Sequence, residues 1–267
     1  MSGGEPSTAH ARAAWRTLGA VASVLILFLA GVTVWGWLRP EHNADRHFEH
    51  AGAVARVTVR TGDGDVTVQP GSGRGVTVDS HLSWTTLRAA GATVTVQGDS
   101  LQVAGECPTG DLPFGIGGTC RVDVVVHVPA ATPVEVTTEG GDVQVADLSG
   151  GVSLSTAAGD VDVHDLSGDL SLRSDAGTVD GSGLRSPVVH ARLDAGDLTL
   201  TFAAAPTTVT AVADAGDVTL ALARGSYQVH AQTDSGSPEV DVANDPEATS
   251  TVTARAGAGS MRIRYAG

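Results

Sequence analysis

From Pro133 onward, apolar and polar positions alternate on either side of a recurring glycine. Gly141, Gly159, Gly177, Gly196, Gly216 and Gly236 follow one another at intervals of 18, 18, 19, 20 and 20 residues. Five residues before each glycine stand Val136, Leu154, Leu172, Ala191, Ala211 and Ala231, and two after it Val143, Val161, Val179, Leu198, Val218 and Pro238. The neighbouring columns, from Glu135 to His230 and from Gln144 to Glu239, are polar. Alternation of period two around a glycine turn describes two half-buried strands per repeat, and no 3.6-residue period survives the alignment, so helix is excluded. The pattern predicts an all-β fold, a single-stranded β-solenoid with one coil per repeat, each ~4.8 Å above the last. A β-sandwich or barrel of hairpins is the alternative, because hairpin pairs also repeat every ~20 residues. The solenoid is preferred because the columns keep their chemistry from copy to copy. A seventh copy near Gly257 or Gly259 is less regular.

The rest of the chain does not follow this period. Thr17 to Leu38 is an uncharged run of 22 residues bracketed by Arg16 and Arg39, long enough as a helix to cross a hydrocarbon core of ~30 Å. It is longer than the apolar region of a usual signal peptide and offers no Ala-x-Ala end, so a retained single-pass transmembrane helix is expected. The resulting division is a cytoplasmic arm (1–16), a transmembrane helix (17–38), a juxtamembrane linker (39–52), a β-rich capping region (53–130) and the β-solenoid repeats (131–267). Arginines on both flanks make the charge rule nearly neutral on orientation. The short arm is expected in the cytoplasm and the large acidic domain outside the cell membrane.

Composition narrows the partners. Hydrophobic residues make up 42% and charged residues 17% of the 267, which disfavours a disordered chain. Thirty acids oppose 16 cations, all arginine, for a net charge of -14. Nucleic acid is excluded as a partner, since binding phosphate requires a basic surface. Cys107 and Cys120 are the two cysteines. In an oxidising compartment they are expected to form a disulfide around a Gly- and Pro-rich loop; a metal-binding pair or two unpaired thiols are the alternatives.

The acids fall in register. Glu139, Asp175, Asp194, Asp214 and Asp234 stand two residues before the repeat glycine, and Asp142, Asp160, Asp197 and Asp217 one after it. Stacked coils would turn these columns into carboxylate ladders. Asp194, Asp197, Asp214, Asp217 and Asp234 are therefore candidate ligands for a hard cation such as calcium, against the simpler reading that Asp-Ala-Gly-Asp makes a good turn. His190 and His230 are expected two coils apart, too far for one shared metal. His42, His47 and His50 cluster on the linker, close enough in sequence to bind a metal, but on so polar a segment they are expected to be solvated. The repeat arginines Arg173, Arg185, Arg192 and Arg224 are expected to form no column with the acids. No nucleophile elbow, His-Glu-x-x-His, Cys-x-x-Cys or phosphate loop is present, so an enzyme is not expected. A polysaccharide-cleaving solenoid is the least favoured reading.

Gly-Asp-Val-Thr-Val at 64–68, Val-Val-Val-His-Val-Pro at 124–129, and Val-Glu-Val-Thr-Thr-Glu-Gly-Gly-Asp-Val at 134–143 with its echoes carry a resemblance. From Val54 to Tyr265 the chain resembles the bacterial β-strand-repeat family of unknown function labelled "putative adhesin". The resemblance implies an extracytoplasmic, often membrane-anchored repeat domain, in some relatives linked to envelope stress, with no catalytic residues to carry over. Gly177-Thr178 and Gly236-Ser237-Pro238 depart from the pattern by lacking the Asp. Two functions follow as expectations. One is a non-catalytic interaction module presenting strand faces to an envelope polymer or surface protein. The other is an envelope-stress sensor or regulator acting through a membrane partner.

Overall fold

The computed structural model describes residues 22–24, 26–28, 30–31, 41–85, 88–107 and 119–267. It divides into two compact units, Met1–His42 and Asn43–Gly267. In the first, residues 22–24, 26–28 and 30–31 are helical, and Val24, Ile26, Leu27 and Phe28 are exposed. The remainder of the expected membrane span lies outside the described residues, and no helix among the described residues is long and apolar enough to cross a membrane.

The second unit is all strand. In chain order the strands are β1 (His42–His50), β2 (Arg56–Asp63), β3 (Val66–Pro70), β4 (Val76–Trp84), β5 (Gly91–Gln97), β6 (Ser100–Glu106) and β7 (Cys120–Val128). The repeat region supplies β8 (Val134–Gly140), β9 (Val143–Ala146), β10 (Val152–Thr156), β11 (Val161–His164), β12 (Leu170–Ala176), β13 (Val179–Leu184), β14 (Val188–Ala195), β15 (Leu198–Phe202), β16 (Thr208–Ala215) and β17 (Val218–Leu222). It ends with β18 (Gln228–Thr233), β19 (Glu239–Asp241), β20 (Thr251–Ala258) and β21 (Met261–Tyr265).

Each coil contributes one strand to each of two sheets, ordered β1-β4-β7-β3-β9-β11-β13-β15-β17-β21-β19 and β18-β20-β16-β14-β12-β10-β8-β2-β6-β5. The repeats stack in parallel and in register, as in Val136 beside Leu154 and Val143 beside Val161. Parallel pairing rules out the hairpin alternative for the repeats. Antiparallel pairs β4–β7 and β5–β6 occur only at the N-terminal end, where they turn the chain back and cover the end of the stack.

Column chemistry decides which residues are inside. The positions seven, five and three before the glycine, together with those two and four after it, point inward; their apolar members form one continuous cluster, to which the column three before the glycine contributes Leu193, Ala213 and Ala256. Side-chain volumes are exchanged between the sheets along the stack. Coils with Val136, Leu154 and Leu172 in one sheet carry Val145, Val163 and Gly181 in the other, whereas Ala191, Ala211 and Ala254 accompany Leu200, Leu220 and Ile263. A fixed distance between close-packed sheets requires such compensation. Three residues before the glycine, Thr61, Thr138, Thr156 and Ser174 form a buried hydroxyl column. Thr138 Oγ1 donates to Gly140 O at 2.8 Å and Thr156 Oγ1 to Ala158 O at 3.1 Å, which offsets the cost of burying these two; the Thr61 and Ser174 hydroxyls are buried without a partner among the described residues.

Three expectations need correction. Residues 42–50 are not a linker; they form β1, an edge strand of the longer sheet. Residues 53–130 are not solely a cap, because β2 and β3 form a regular coil around Gly64, with β2 paired to β8 and β3 to β9. The Gly236 coil does not sit on the Gly216 coil. Strands β20 and β21 pair with β16 and β17 on one side and with β18 and β19 on the other. The last coil in sequence is therefore the penultimate coil in space.

Pro238 supplies the reason. In successive coils the N–H two residues past the glycine donates to the next coil outward: Val143 to Asp160 O, Val161 to Thr178 O, Leu198 to Asp217 O and Val218 to Ser260 O. Pro238 occupies this column and has no N–H. A coil containing it can serve only as the outermost layer without losing a ladder bond.

Candidate functional site

The corner that carries the repeat glycines holds most of the ordered acids. Gly141, Gly159, Gly177, Gly196, Gly216 and Gly259 have φ between +102° and +154°. A Cβ at Gly196 would lie 1.9 Å from Gly177 O, and the others in this column would meet the preceding glycine's carbonyl oxygen at 2.0–2.3 Å. Both the backbone conformation and the close stacking exclude side chains here.

Each aspartate following such a glycine reaches across to the next coil. Asp65 Oδ1 accepts the Asp142 N–H at 2.9 Å, Asp142 Oδ1 the Asp160 N–H at 3.0 Å, and Asp160 Oδ1 the Thr178 N–H at 2.8 Å. Thr178 has no carboxylate to continue the series. It resumes with Asp197 Oδ1 accepting from Asp217 N–H at 2.9 Å and Asp217 Oδ1 from Ser260 N–H at 2.7 Å. At the other end Asp123 Oδ1 accepts from Asp65 N–H at 2.9 Å. The bond with Ser260 lowers the Asp217 pKa, backbone donation being the largest cause and the Arg262 charge a lesser one.

The aspartates are thus turn residues, but each caps its neighbour's turn instead of its own. This modifies the simple turn reading and removes one oxygen per residue from any ligand set. A groove of about 550 Å³ lies along the corner, lined by Asp65, Asp142, Asp160, Asp162 and Asp180. Among the described residues, no three His, Cys, Asp or Glu side chains are arranged to hold a metal ion.

The second acidic column does not stand as bare like charges. Arg173 and Arg192 are direct partners on β12 and β14, so the expectation that the repeat arginines form no column with the acids is wrong for these two. Arg173 Nη2 lies 3.4 Å from Asp175 Oδ1 and 3.5 Å from Asp194 Oδ2. Arg192 Nη2 lies 2.9 Å from Asp214 Oδ2, and its Nε 3.6 Å from Asp194 Oδ1. The alternating charges form a zipper along the outside of the shorter sheet. Asp234 is not part of it, since the Gly257 level of β20 lies between its coil and that of Asp214. The five candidate ligands Asp194, Asp197, Asp214, Asp217 and Asp234 therefore divide among an ion-pair row, an amide-capping row and the outermost coil.

His190 and His230 are three coils apart, with Thr210 and Thr253 between them, and not two. Cys107 and Cys120 are joined by a disulfide with a Cα–Cα distance of 5.7 Å; it links the end of β6 to the start of β7 across the two sheets. The loop that it closes, 108–118, lies outside the described residues. Sequence reasoning missed the cross-coil capping, for which the only signal was the Asp that follows the glycine in most copies.

Solved structures that match include one described as a putative cell adhesion protein from Clostridium sporogenes, at 12% identity and a TM-score of 0.43, covering 85% of this chain and 100% of that one. A putative adhesin from Bacteroides fragilis matches at 12% identity and a TM-score of 0.46, over 85% of this chain and 99% of that one. A putative lipid binding protein from Parabacteroides distasonis matches at 11% identity and a TM-score of 0.37, over 85% and 97%. No curated protein matches. The family model for Toastrack DUF4097 matches residues 54–265, the whole span from β2 to β21, and the chain belongs to that family.

Proposed function

We propose that this protein is a membrane-anchored, extracytoplasmic β-solenoid that works as a non-catalytic, adhesin-like interaction module at the cell envelope. The observation that carries the reading is the commitment of the repeat acids. The carboxylates of Asp65, Asp142, Asp160, Asp197 and Asp217 accept backbone amides of the next coil, and those of Asp175, Asp194 and Asp214 are paired with Arg173 and Arg192; groups held in this way serve a rigid scaffold better than proton transfer. What remains available is the outer surface of two long sheets, suited to binding a polymer or another protein along its length. The apolar run 17–38 and the exposed Val24, Ile26, Leu27 and Phe28 support the anchor.

A regulatory reading, in which the domain signals through a membrane partner, is favoured by one observation. Strand β1 begins four residues after the apolar run in sequence and belongs to the longer sheet, so little chain separates the expected anchor from the domain. Protease treatment of intact cells, followed by membrane fractionation, tests the placement. Loss of the 41–267 region from intact cells, with the N-terminal stub retained in the membrane fraction, is expected. A protected domain, or a secreted species beginning near residue 39, would refute it.

A further inference from the structure

We propose that β1 is held to the solenoid by a pH-gated clasp, two reciprocal aspartate–histidine pairs that tighten when the imidazoles are protonated and loosen when they are not. Strand β1 lies at the free edge of the longer sheet with β4 as its neighbour. His47 Nδ1 is 2.6 Å from Asp79 Oδ1, and His81 Nδ1 is 2.6 Å from Asp45 Oδ1. The crossed numbering, 45 with 81 and 47 with 79, shows that the strands run antiparallel. Each strand supplies one acid and one imidazole, so neither strand alone can satisfy its own pair.

Besides its backbone hydrogen bonds to β4, side chains of β1 reach the rest of the domain. Ala44 and Phe48 are only partly buried against the core, and Arg46 Nη1 donates to Ala92 O at 3.3 Å, tying β1 to the edge strand β5 of the other sheet. An edge strand with a single strand neighbour opens more readily than the interior of a sheet, so small changes in its pairing alter the open population. The charged groups around the clasp do not cancel it. On β1, Glu49 adds to the negative field at His47, while His42 and His50 lie toward the strand ends. On β7, Asp123 stands opposite His81, but its carboxylate accepts the Asp65 N–H and lies 3.8 Å from Arg121. His127 pairs with Thr77 on the same outer face, diagonal to Asp79, and its Nε2 is engaged by Gln69. Strand β5 carries no charged residue.

The sign follows from the geometry. The Asp79 carboxylate, first by its hydrogen bond and then by its charge, raises the His47 pKa above its ordinary value. The stabilisation is therefore fully present below the unfolded imidazole value and is lost as pH rises through the raised folded value. Deprotonation leaves a neutral hydrogen bond, which is weaker than a charge-assisted one.

Hydrogen exchange of the full chain in detergent micelles, corrected for intrinsic rates, tests the clasp. Amides of 42–50 are expected to lose about two- to fivefold in protection between about pH 5.8 and pH 8, the change that exposed pairs of this kind can support. The β8–β9 coil serves as an unchanged internal reference for folding. H47Q/H81Q is expected to abolish the pH dependence, and H47R/H81R, which keeps a fixed cation on each strand, is expected to abolish it as well. Equal protection of 42–50 at both pH values, or pH dependence persisting in either double variant, would overturn the proposal.

Discussion

The Asp142 carboxylate holds the backbone N–H of Asp160 at 3.0 Å, one coil away, and Asp160 holds that of Thr178 at 2.8 Å in the same way. Each aspartate thus both receives and supplies support along the axis. This makes the corner a relay in which acceptor geometry is more important than charge.

Asp160→Ala should destabilise the protein by about 0.5–1.5 kcal/mol, because the Thr178 amide loses its acceptor. Asp160→Asn, which retains a carbonyl oxygen at the same place, should lose less than half as much. Chemical denaturation of the two variants checks this, and equal losses would assign the effect to charge.

Asp217 adds a pH arm to the same argument. Its lowered folded pKa means that its contribution is present above the unfolded carboxylate value and disappears as pH falls through the folded one. Asp217→Asn should therefore flatten the acid limb of the stability curve below about pH 4, measured by thermal melts from neutral to acid pH. An unchanged acid limb would count against the Ser260 bond as its origin.

Gly196 and Gly236 belong to one sequence column but differ in surroundings. Gly196→Ala meets the Gly177 carbonyl at 1.9 Å with φ +126°, whereas Gly236, on the outermost coil with φ +84°, has nothing within 4 Å. The first substitution should cost about 3 kcal/mol or more and the second about 1 kcal/mol. Melting temperatures that fall equally would refute the stacked corner.

Pro238→Val should restore an outward N–H at the C-terminal end of the ladder and expose an edge able to pair with another chain. Sedimentation of the full chain in detergent should show concentration-dependent association for the variant and none for the parent. A variant with no added association would show that the proline is not the stop.

Reduction of Cys107–Cys120, or Cys120→Ser, should lower stability by about 3 kcal/mol on the loop-entropy scale for a separation of 13 residues. A shift in melting temperature under reducing conditions is the measurement, and no shift would mean that the loop is already ordered in the unfolded reference.

The repeat was legible because each coil needs its own glycine: six copies had to keep it, and the strand columns aligned around them. The Gly64 coil escaped because Asp65 and Asp142, partners in space, are 77 residues apart in sequence, and no local spacing records an insertion of that size. The order of the last two coils escaped for a different reason. Val229 and Ala231 fit the same columns as Val252 and Ala254, so hydrophobic pattern cannot rank them, and the deciding residue, Pro238, acts through a hydrogen bond that it does not make. The histidines of β1 read as a solvated cluster because Asp79 and His81 lie more than 30 residues away.

The placement of the final coil affects how the chain is made. During synthesis β18 and β19 emerge before β20 and β21, and their side chains suit the surface left open by β16 and β17, with Pro238 facing outward as it must. In the finished molecule β18 and β19 lie on β20 and β21 instead, so the β18–β19 coil reaches its place only once residues 251–265 occupy the layer beneath it, and order along the chain differs from order of assembly at this end.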